Sequence, residues 1–142
     1  MQVETILQSK GRVVHTVAAR APIAEAVDIL NRQHIGAVVV TEGGKVTGIL
    51  SERDVVRHLG TDWNALSKRP VSDVMTRNVI TASRSTSVDD LMERMTEHRI
   101  RHMPIVEAAG DLVGIVSIGD VVKRKIAETE QEAQALKEYI AS

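Results

Sequence analysis

A ten-residue segment occurs twice in this chain, and the repeat constrains the fold more than any other feature of the sequence. Gly48–Arg57 and Gly114–Lys123 share six of ten residues at an offset of 66. Further upstream, Ile23–Ile35 aligns with Val88–Ile100 at an offset of 65. A period of this length indicates two copies of one supersecondary unit. Because a unit of about sixty residues buries little surface on its own, we expect the two copies to pack together.

Hydrophobic patterns follow one another in the same order in both copies. Ile23–Gln33 and Val88–His98 carry apolar residues at helical spacing, which predicts one amphipathic helix in each copy. A second helix closes each copy, so the predicted order is β-α-β-β-α. Two similar segments, Val3–Leu7 and Val71–Met75, predict a short lead-in helix before each copy. The predicted strands are 13–17, 37–41 and 46–50 in the first copy and 79–81, 103–107 and 112–116 in the second.

The fold class that follows is α/β (α+β). We predict two tandem β-α-β-β-α repeats with pseudo-two-fold symmetry, forming one module with an added C-terminal helix. The predicted boundaries are 1–66 for the first repeat with its lead-in helix, 67–126 for the second repeat and 127–142 for the tail. Apolar and small residues of the tail recur at spacings of four and three, which is a heptad stripe. This stripe fits either a helix that packs on its own domain or one that docks across a dimer. Its members are Val122, Ile126, Thr129, Ala133, Leu136 and Ile140.

Composition excludes several classes of protein. With 18 Lys and Arg against 19 Asp and Glu, the net charge of −1 gives no general attraction for nucleic acid or anionic lipid. The absence of Cys excludes thiolate metal sites and Cys nucleophiles. The longest apolar run, Ile35–Val40, is too short to span a bilayer, and the first residues lack the pattern of a secretion signal. We therefore expect a cytoplasmic protein that is not associated with a membrane.

No catalytic motif is evident. The sequence contains no P-loop, no Gly-x-Ser-x-Gly and no His-Glu-x-x-His, and no base is evident beside Ser51 or Ser117. We therefore expect a protein that is not an enzyme.

A Ser-x-x-Asp motif opens the second helix of each copy, as Ser51–Asp54 and Ser117–Asp120. Taken structurally, it predicts a capping box, with Ser as the N-cap and Asp as the third helical residue. The same geometry suits a ligand, because free N–H groups at a helix N-terminus bind phosphate. A carboxylate in the first turn can also accept hydrogen bonds from two vicinal hydroxyls, as in ribose recognition. Capping and binding are compatible uses of one motif.

Basic residues distinguish the two copies. Arg101 and His102 stand just before Pro104 in the second copy, where the first has Gly36 and Ala37. The planar fork of arginine suits phosphate oxygens, so this segment favours a phosphate contact.

Two further observations bear on the number and kind of sites. A metal site on His98 and His102 is disfavoured, because the helix is predicted to end before His102 and no third ligand is evident. Arg53 of the first copy corresponds to Gly119 of the second. The copies are thus asymmetric, which argues against two equal sites.

The two copies resemble the CBS (cystathionine β-synthase) domain family. The resemblance covers about residues 3–126 and is carried by His98–Val106, Gly114–Val122 and the lead-in Val71–Thr76. It implies a disc-like module that binds AMP, ADP, ATP, S-adenosylmethionine or NAD-type nucleotides, with no prosthetic group.

The resemblance also implies roles for individual residues. Asp54 and Asp120 would hold ribose, and Ser51 and Ser117 would contact phosphate or ribose. Arg101 and His102 would contact phosphate, and Thr16 and Thr81 would lie near the sugar or base. The full set of candidate binding residues is Thr16, Ser51, Arg53, Asp54, Thr81, Arg101, His102, Pro104, Ser117 and Asp120.

Together these observations predict a regulatory, homodimeric energy sensor of the stand-alone bacterial type. An adenosine nucleotide (AMP, ADP, ATP or NAD(H)) would bind between the repeats and signal to an unidentified downstream protein, with no nucleic-acid partner. The alternative is a ligand-free structural scaffold that acts through dimerisation. Turnover of a bound nucleotide would support an enzyme. An affinity for nucleic acid that depends on salt would support nucleic-acid binding.

Overall fold

The computed structural model describes residues 1–11 and 13–141, and its two halves follow the sequence repeat. By sequence, the described part of the first half contains three strands and four α-helices, whereas that of the second contains two strands and two α-helices, the last of them much longer. The mixed α/β architecture of two repeats is confirmed. The elements are α1 (Val3–Lys10), β1 (Thr16–Ala18), α2 (Ile23–Gln33), β2 (Ala37–Glu42), β3 (Lys45–Ser51), α3 (Glu52–Leu59), α4 (Trp63–Lys68), a 3₁₀ turn (Val71–Asp73), α5 (Val88–His98), β4 (His102–Val106), β5 (Leu112–Ser117) and α6 (Ile118–Ala141).

Each half has a small sheet built around a hairpin. In the first, β2 lies between β1 and β3, parallel to β1 and antiparallel to β3. Gly43 and Gly44 form the tight turn of this hairpin, with φ of 56° and 79°. Positive φ at both positions is the geometry of a type I′ turn, which glycine adopts without steric cost. In the second half, β4 and β5 form the antiparallel pair.

The opening strand of the second half is missing. We predicted strand 79–81 there, but the described chain makes only one parallel bridge, between Ala82 and Ile105. Pro104 supplies the physical reason. In the first half Val39, its counterpart, donates its N–H to the carbonyl of His15 at 3.4 Å. Proline has no N–H, so this hydrogen bond cannot form in the second half.

The lead-in segments are exchanged between the halves. Val3, Ile6 and Leu7 of α1 are buried in the core of the second repeat, with α5 and β4. The segment around the 3₁₀ turn, including Val71 and Met75, is buried in the core of the first. The backbone follows the same exchange, since Val88 donates to the carbonyl of Met1 at 2.9 Å and Ile23 donates to that of Arg69 at 2.9 Å. Each repeat is therefore completed by a segment that precedes the other in sequence.

The C-terminal helix is longer than predicted. The second helix of the second repeat and the tail form one continuous helix, α6, of 24 residues. Every residue from Thr129 to Ala141 is exposed, so this part of the heptad stripe does not pack on its own domain. No helix within the described residues is long and apolar enough to cross a membrane.

Gly114 should be a stability determinant because the exchanged helix covers it. A Cβ at Gly114 would lie 2.6 Å from Cδ2 of Leu7, whereas a Cβ at Gly119 would meet only the Ser117 hydroxyl at 3.6 Å. We expect Gly114→Ala to lower the free energy of unfolding by about 1–3 kcal/mol, because overpacking forces the neighbours apart. Gly119→Ala, in a helix with space, is expected to raise it by up to about 1 kcal/mol. Urea denaturation of both variants measures these changes in the free energy of unfolding. Equal changes in the two variants would contradict the close packing of α1 on Gly114.

Candidate functional site

Both Ser-x-x-Asp motifs form complete capping boxes. Ser51 donates its backbone N–H to Asp54 Oδ2 at 2.9 Å, and Asp54 returns its N–H to the Ser51 hydroxyl at 3.2 Å. Ser117 and Asp120 make the same two hydrogen bonds at the same two distances. The structural prediction for the motif is therefore met in both copies. What distinguishes the two boxes is their surroundings.

The first box opens into a cleft between the repeats. The cleft has a volume of about 600 Å³, within the range of small-molecule sites. Its first wall comes from Gly36 and from the start of α3, and its second from the loop that joins α5 to β4. Thr76, just after the second lead-in, also lines the cleft. The lining residues are Gly36, Ala37, Ile49, Ser51, Glu52, Arg53, Asp54, Arg57, Thr76, Arg99, Ile100, Arg101 and His102.

Four arginines give the cleft its positive character. Arg53 and Arg57 lie one turn apart on α3, and Arg99 and Arg101 approach from the other repeat. No ion pair involves any of these four guanidinium groups within residues 1–11 and 13–141. Two carboxylates, Glu52 and Asp54, also line the cleft, so the positive charge exceeds the negative. Arginine that is not neutralised by carboxylate suits a bound phosphate.

A smaller cavity of about 300 Å³ shares lining residues with the cleft. Three of the arginines, Arg53, Arg99 and Arg101, line both spaces. The remaining lining of the smaller cavity is mainly apolar, with Met95, Ile100 and Ile118. A ligand whose phosphates contact the shared arginines could therefore extend into either space.

His102 contacts the repeat opposite its own. A Cβ at Gly36 would lie 3.2 Å from both Cε1 and Nε2 of His102, so a side chain at position 36 would crowd the ring. Burial lowers the pKa of the imidazole, and Lys10 lowers it further, against the opposing effects of Asp120 and Glu52. His102 is thus a neutral hydrogen-bonding group at neutral pH in the ligand-free protein.

The second box is occupied by a lysine. Lys10, at the end of α1, donates from Nζ to Asp120 Oδ2 at 2.7 Å and to the carbonyl of Ile115 at 2.8 Å. Burial raises the pKa of Asp120, but hydrogen bonds from Lys10 and Ser117 outweigh it and hold the pKa below its usual value. Asp120 lines neither of the two cavities.

Half of the residues predicted from sequence line the cleft: Ser51, Arg53, Asp54, Arg101 and His102. The other half lie elsewhere. Thr16 begins β1, Thr81 accepts a hydrogen bond on its carbonyl from Arg94 at 3.1 Å, and Pro104 is buried in β4. Ser117 and Asp120 form the box that Lys10 covers. The predicted binding roles of all these residues stay predictions.

Sequence reasoning missed four polar residues of the cleft, Glu52, Arg57, Thr76 and Arg99. A signal existed for Arg57, which stands four residues after Arg53 and therefore on the same face of α3. Arg99 stands two residues before Arg101, within the segment His98–Val106 that carries the family resemblance. Its φ of 55° matches the φ of 52° at His34, its counterpart in the first repeat. No signal in the sequence marks Lys10, because its contact depends on the exchange of lead-in segments.

The Lys10–Asp120 pair should make stability depend on pH. Because the pKa of Asp120 is lowered, its charge stabilises the fold above the ordinary Asp range, and this contribution is lost as the pH falls through the lowered value. We expect Lys10→Met to lower the free energy of unfolding by about 1 kcal/mol at neutral pH and by less at an acidic pH below the lowered pKa of Asp120. Lys45→Met is the control, because Lys45 bonds Asp111 at 2.7 Å but both side chains are about half exposed. Urea denaturation at the two pH values measures the free energy of unfolding. If the loss caused by Lys10→Met does not change with pH, the pairing with Asp120 is contradicted.

Comparisons with known proteins agree with this architecture. A family model for the CBS domain matches the chain twice, over residues 10–61 and 71–126. The crystal structure of a CBS-domain-containing protein from Agrobacterium tumefaciens is 44% identical, with a TM-score of 0.82 over 88% of this chain and 99% of that one. A mitochondrial CBS-domain-containing protein from Arabidopsis thaliana is 36% identical over 83% of this chain. The chain spans only 59% of the length of that relative.

Two further solved structures contain ligands. A CBS domain protein from Pyrobaculum aerophilum was solved in complex with AMP, and it is 27% identical with a TM-score of 0.75 over 84% of this chain and 89% of that one. A CBS domain pair solved with 5′-methylthioadenosine and S-adenosyl-L-methionine is 29% identical, with a TM-score of 0.79 over 90% of this chain and 98% of that one. Both family-model matches fall on the two repeats, so this chain belongs to the CBS-domain family.

Proposed function

We propose that this protein is a regulatory module that binds a phosphate-bearing adenosine nucleotide in the cleft at Asp54. One observation carries the proposal: the cleft joins the Ser51–Asp54 box of one repeat to arginines of both repeats that have no ion-pair partner among the described residues. Support also comes from the relatives that were solved with AMP and with two other adenosine compounds.

The polar groups of the cleft suit the parts of a nucleotide. Asp54 uses Oδ2 in the capping box, so Oδ1 is available to accept hydrogen bonds from ribose hydroxyls. The first N–H groups of α3, together with Arg53 and Arg101, would contact the phosphates. Apolar surface from Ala37, Ile49 and Ile100 would contact the base. The ligand would contact both repeats at once, so its binding would favour one relative arrangement of the repeats over others.

A regulatory role fits this chemistry better than catalysis does. The cleft offers a carboxylate and cations, but no nucleophile with an adjacent base is found among its lining residues. The proposed ligands are AMP, ADP, ATP and NAD(H), with AMP-containing compounds favoured as a class. We infer a cytoplasmic protein that passes the signal to a downstream protein.

Isothermal titration calorimetry with AMP, ADP, ATP, NAD, NADH and S-adenosylmethionine tests the ligand and its position. We expect Asp54→Asn to weaken binding by about 10–100-fold, because it removes a charged acceptor for the ribose. Asp120→Asn is the matched control. Both aspartates make the same capping box at the same distances, so the two changes disturb helix capping alike. Asp120→Asn also removes the ion pair with Lys10, so the stability of both variants is measured beside their affinity.

The phosphate contact needs a separate comparison. Arg101→Ala should weaken the binding of AMP by about 10-fold and leave the binding of adenosine unchanged. Arg32→Ala is the control, because Arg32 lines neither cavity and pairs with Asp28 at 2.8 Å. No binding of any of the six ligands at millimolar concentration would overturn the proposal.

A homodimeric scaffold is the second candidate function, and α6 favours it. Leu136 and Ile140 are 59% and 74% exposed on one side of this helix, although both are apolar. A second copy of the stripe would cover them in the way that coiled-coil positions are covered. This role requires no ligand, and it is also compatible with nucleotide binding.

Dimerisation through α6 is tested by sedimentation velocity. We expect the wild-type protein to sediment as a dimer and Leu136→Glu to weaken the dimer by at least 10-fold, because a charge on the stripe loses its apolar contact. Gln131→Glu is the control, since it adds the same charge at an exposed position off the stripe. This interface would be contradicted if the wild-type protein sediments as a monomer, or if Leu136→Glu and Gln131→Glu weaken the dimer equally.

A further inference from the structure

The two Ser-x-x-Asp boxes have the same internal geometry but are approached differently by the lead-in segments. After Met75, the second lead-in becomes extended, and Thr76 exchanges two backbone hydrogen bonds with Ile49, at 2.9 and 3.0 Å. Thr76 also lines the cleft, beside Ser51 and Asp54 of the first box. The counterpart of Met75 is Leu7, which covers Gly114 as Met75 covers Gly48.

After Leu7 the first lead-in stays helical for another turn. It ends at Lys10, and Gly11, with φ of 91°, returns its N–H to the carbonyl of Leu7 at 2.9 Å. Among the described residues, no lead-in backbone pairs with Ile115, the counterpart of Ile49, and its strand partner is Pro104 of β4. Instead the Lys10 ammonium binds the carbonyl of Ile115 at 2.8 Å and reaches Asp120 at 2.7 Å. In the second half, a lysine side chain takes the place that backbone takes in the first.

We propose that Lys10 closes the second nucleotide position of the pair, so that each chain binds one ligand, at Asp54. This inference rests on the proposed function. The ammonium neutralises the carboxylate that would otherwise hold ribose, and a ligand would have to displace a charge-assisted hydrogen bond that is partly shielded from water. Lys10 is thus a specificity-determining residue that decides which of two equivalent boxes is open.

Charge around the second box agrees with this assignment. The counterparts of Arg53 and Arg101 there are Gly119 and Gly36, so phosphate would meet fewer cations. With Lys10 removed, the second position would bind through ribose and base, and a neutral nucleoside would therefore suit it as well as a nucleotide. Adenosine and AMP are the appropriate probes.

The test is a titration of ¹⁵N-labelled protein followed by amide chemical shifts, which report each box separately. In the wild type, AMP should shift the amides of Ser51 and Asp54 and leave those of Ser117 and Asp120 in place. In Lys10→Met, adenosine and AMP should shift the amide signals of both boxes. The stoichiometry measured by calorimetry should rise from one ligand per chain to two. Lys10→Arg keeps a cation at this position and should behave as the wild type.

Lys45→Met is the matched control. Lys45 also binds one carboxylate and one carbonyl, Asp111 and Ala109, both at 2.7 Å, and it lines neither cavity. The Lys45→Met variant should show the same amide chemical-shift changes as the wild type when ligand is added. Saturable shifts of Ser117 and Asp120 in the wild type, or no shift of them in Lys10→Met, would overturn the inference. Loss of shifts at Ser51 and Asp54 in every variant would instead overturn the proposed function, and the response of Asp120 in Lys10→Met would still decide the role of Lys10.

Discussion

The exchange of lead-in segments is the contact on which the rest of the structure depends. Each repeat presents a sheet and two helices whose apolar surface remains incomplete until a segment from outside the repeat covers it. Val3 and Leu7 are fully buried in one core, and Val71 is fully buried in the other. Neither repeat can therefore reach its final packing without the other, and the two halves are expected to fold as one unit. The second lead-in also bears on the cleft, because Thr76, the residue directly after Met75, lines it.

One local motif is compatible with two uses in this protein. The Ser-x-x-Asp box satisfies N–H groups at the start of α3 and α6, and this role alone explains why both copies form it with equal distances. The remaining carboxylate oxygen and the remaining helix N–H groups become a binding site only if neighbouring elements leave them accessible. A motif of this kind therefore indicates a site, and the elements packed around it decide whether the site is open.

The sequence predicted those features that depend on periodicity within one segment. The bounds of α2 and α5 match the prediction because each helix has an apolar face and a clear end. The hairpins were predicted because only a short glycine-containing segment separates strand 37–41 from 46–50 and strand 103–107 from 112–116. Strand 79–81 was wrong because it depended on a partner, and Pro104 in that partner has no N–H to donate. The predicted cleft residues came from the repeat and from local charge, whereas Lys10 depends on a contact between segments 110 residues apart.

Helix α6 links the cleft to the exposed end of the molecule through continuous backbone. Its first residue, Ile118, donates its N–H to the carbonyl of Arg101 at 2.8 Å, and Arg101 lines the cleft. At 1.5 Å per residue, the 24 residues of the helix extend about 36 Å from that point. A tilt of only about 5° at Ile118 would move the far end by roughly 3 Å, since a helix of this length behaves as a stiff rod. A small tilt of α6 at the cleft would therefore become a larger displacement at the end of the tail. A protein bound to the tail would respond to that displacement.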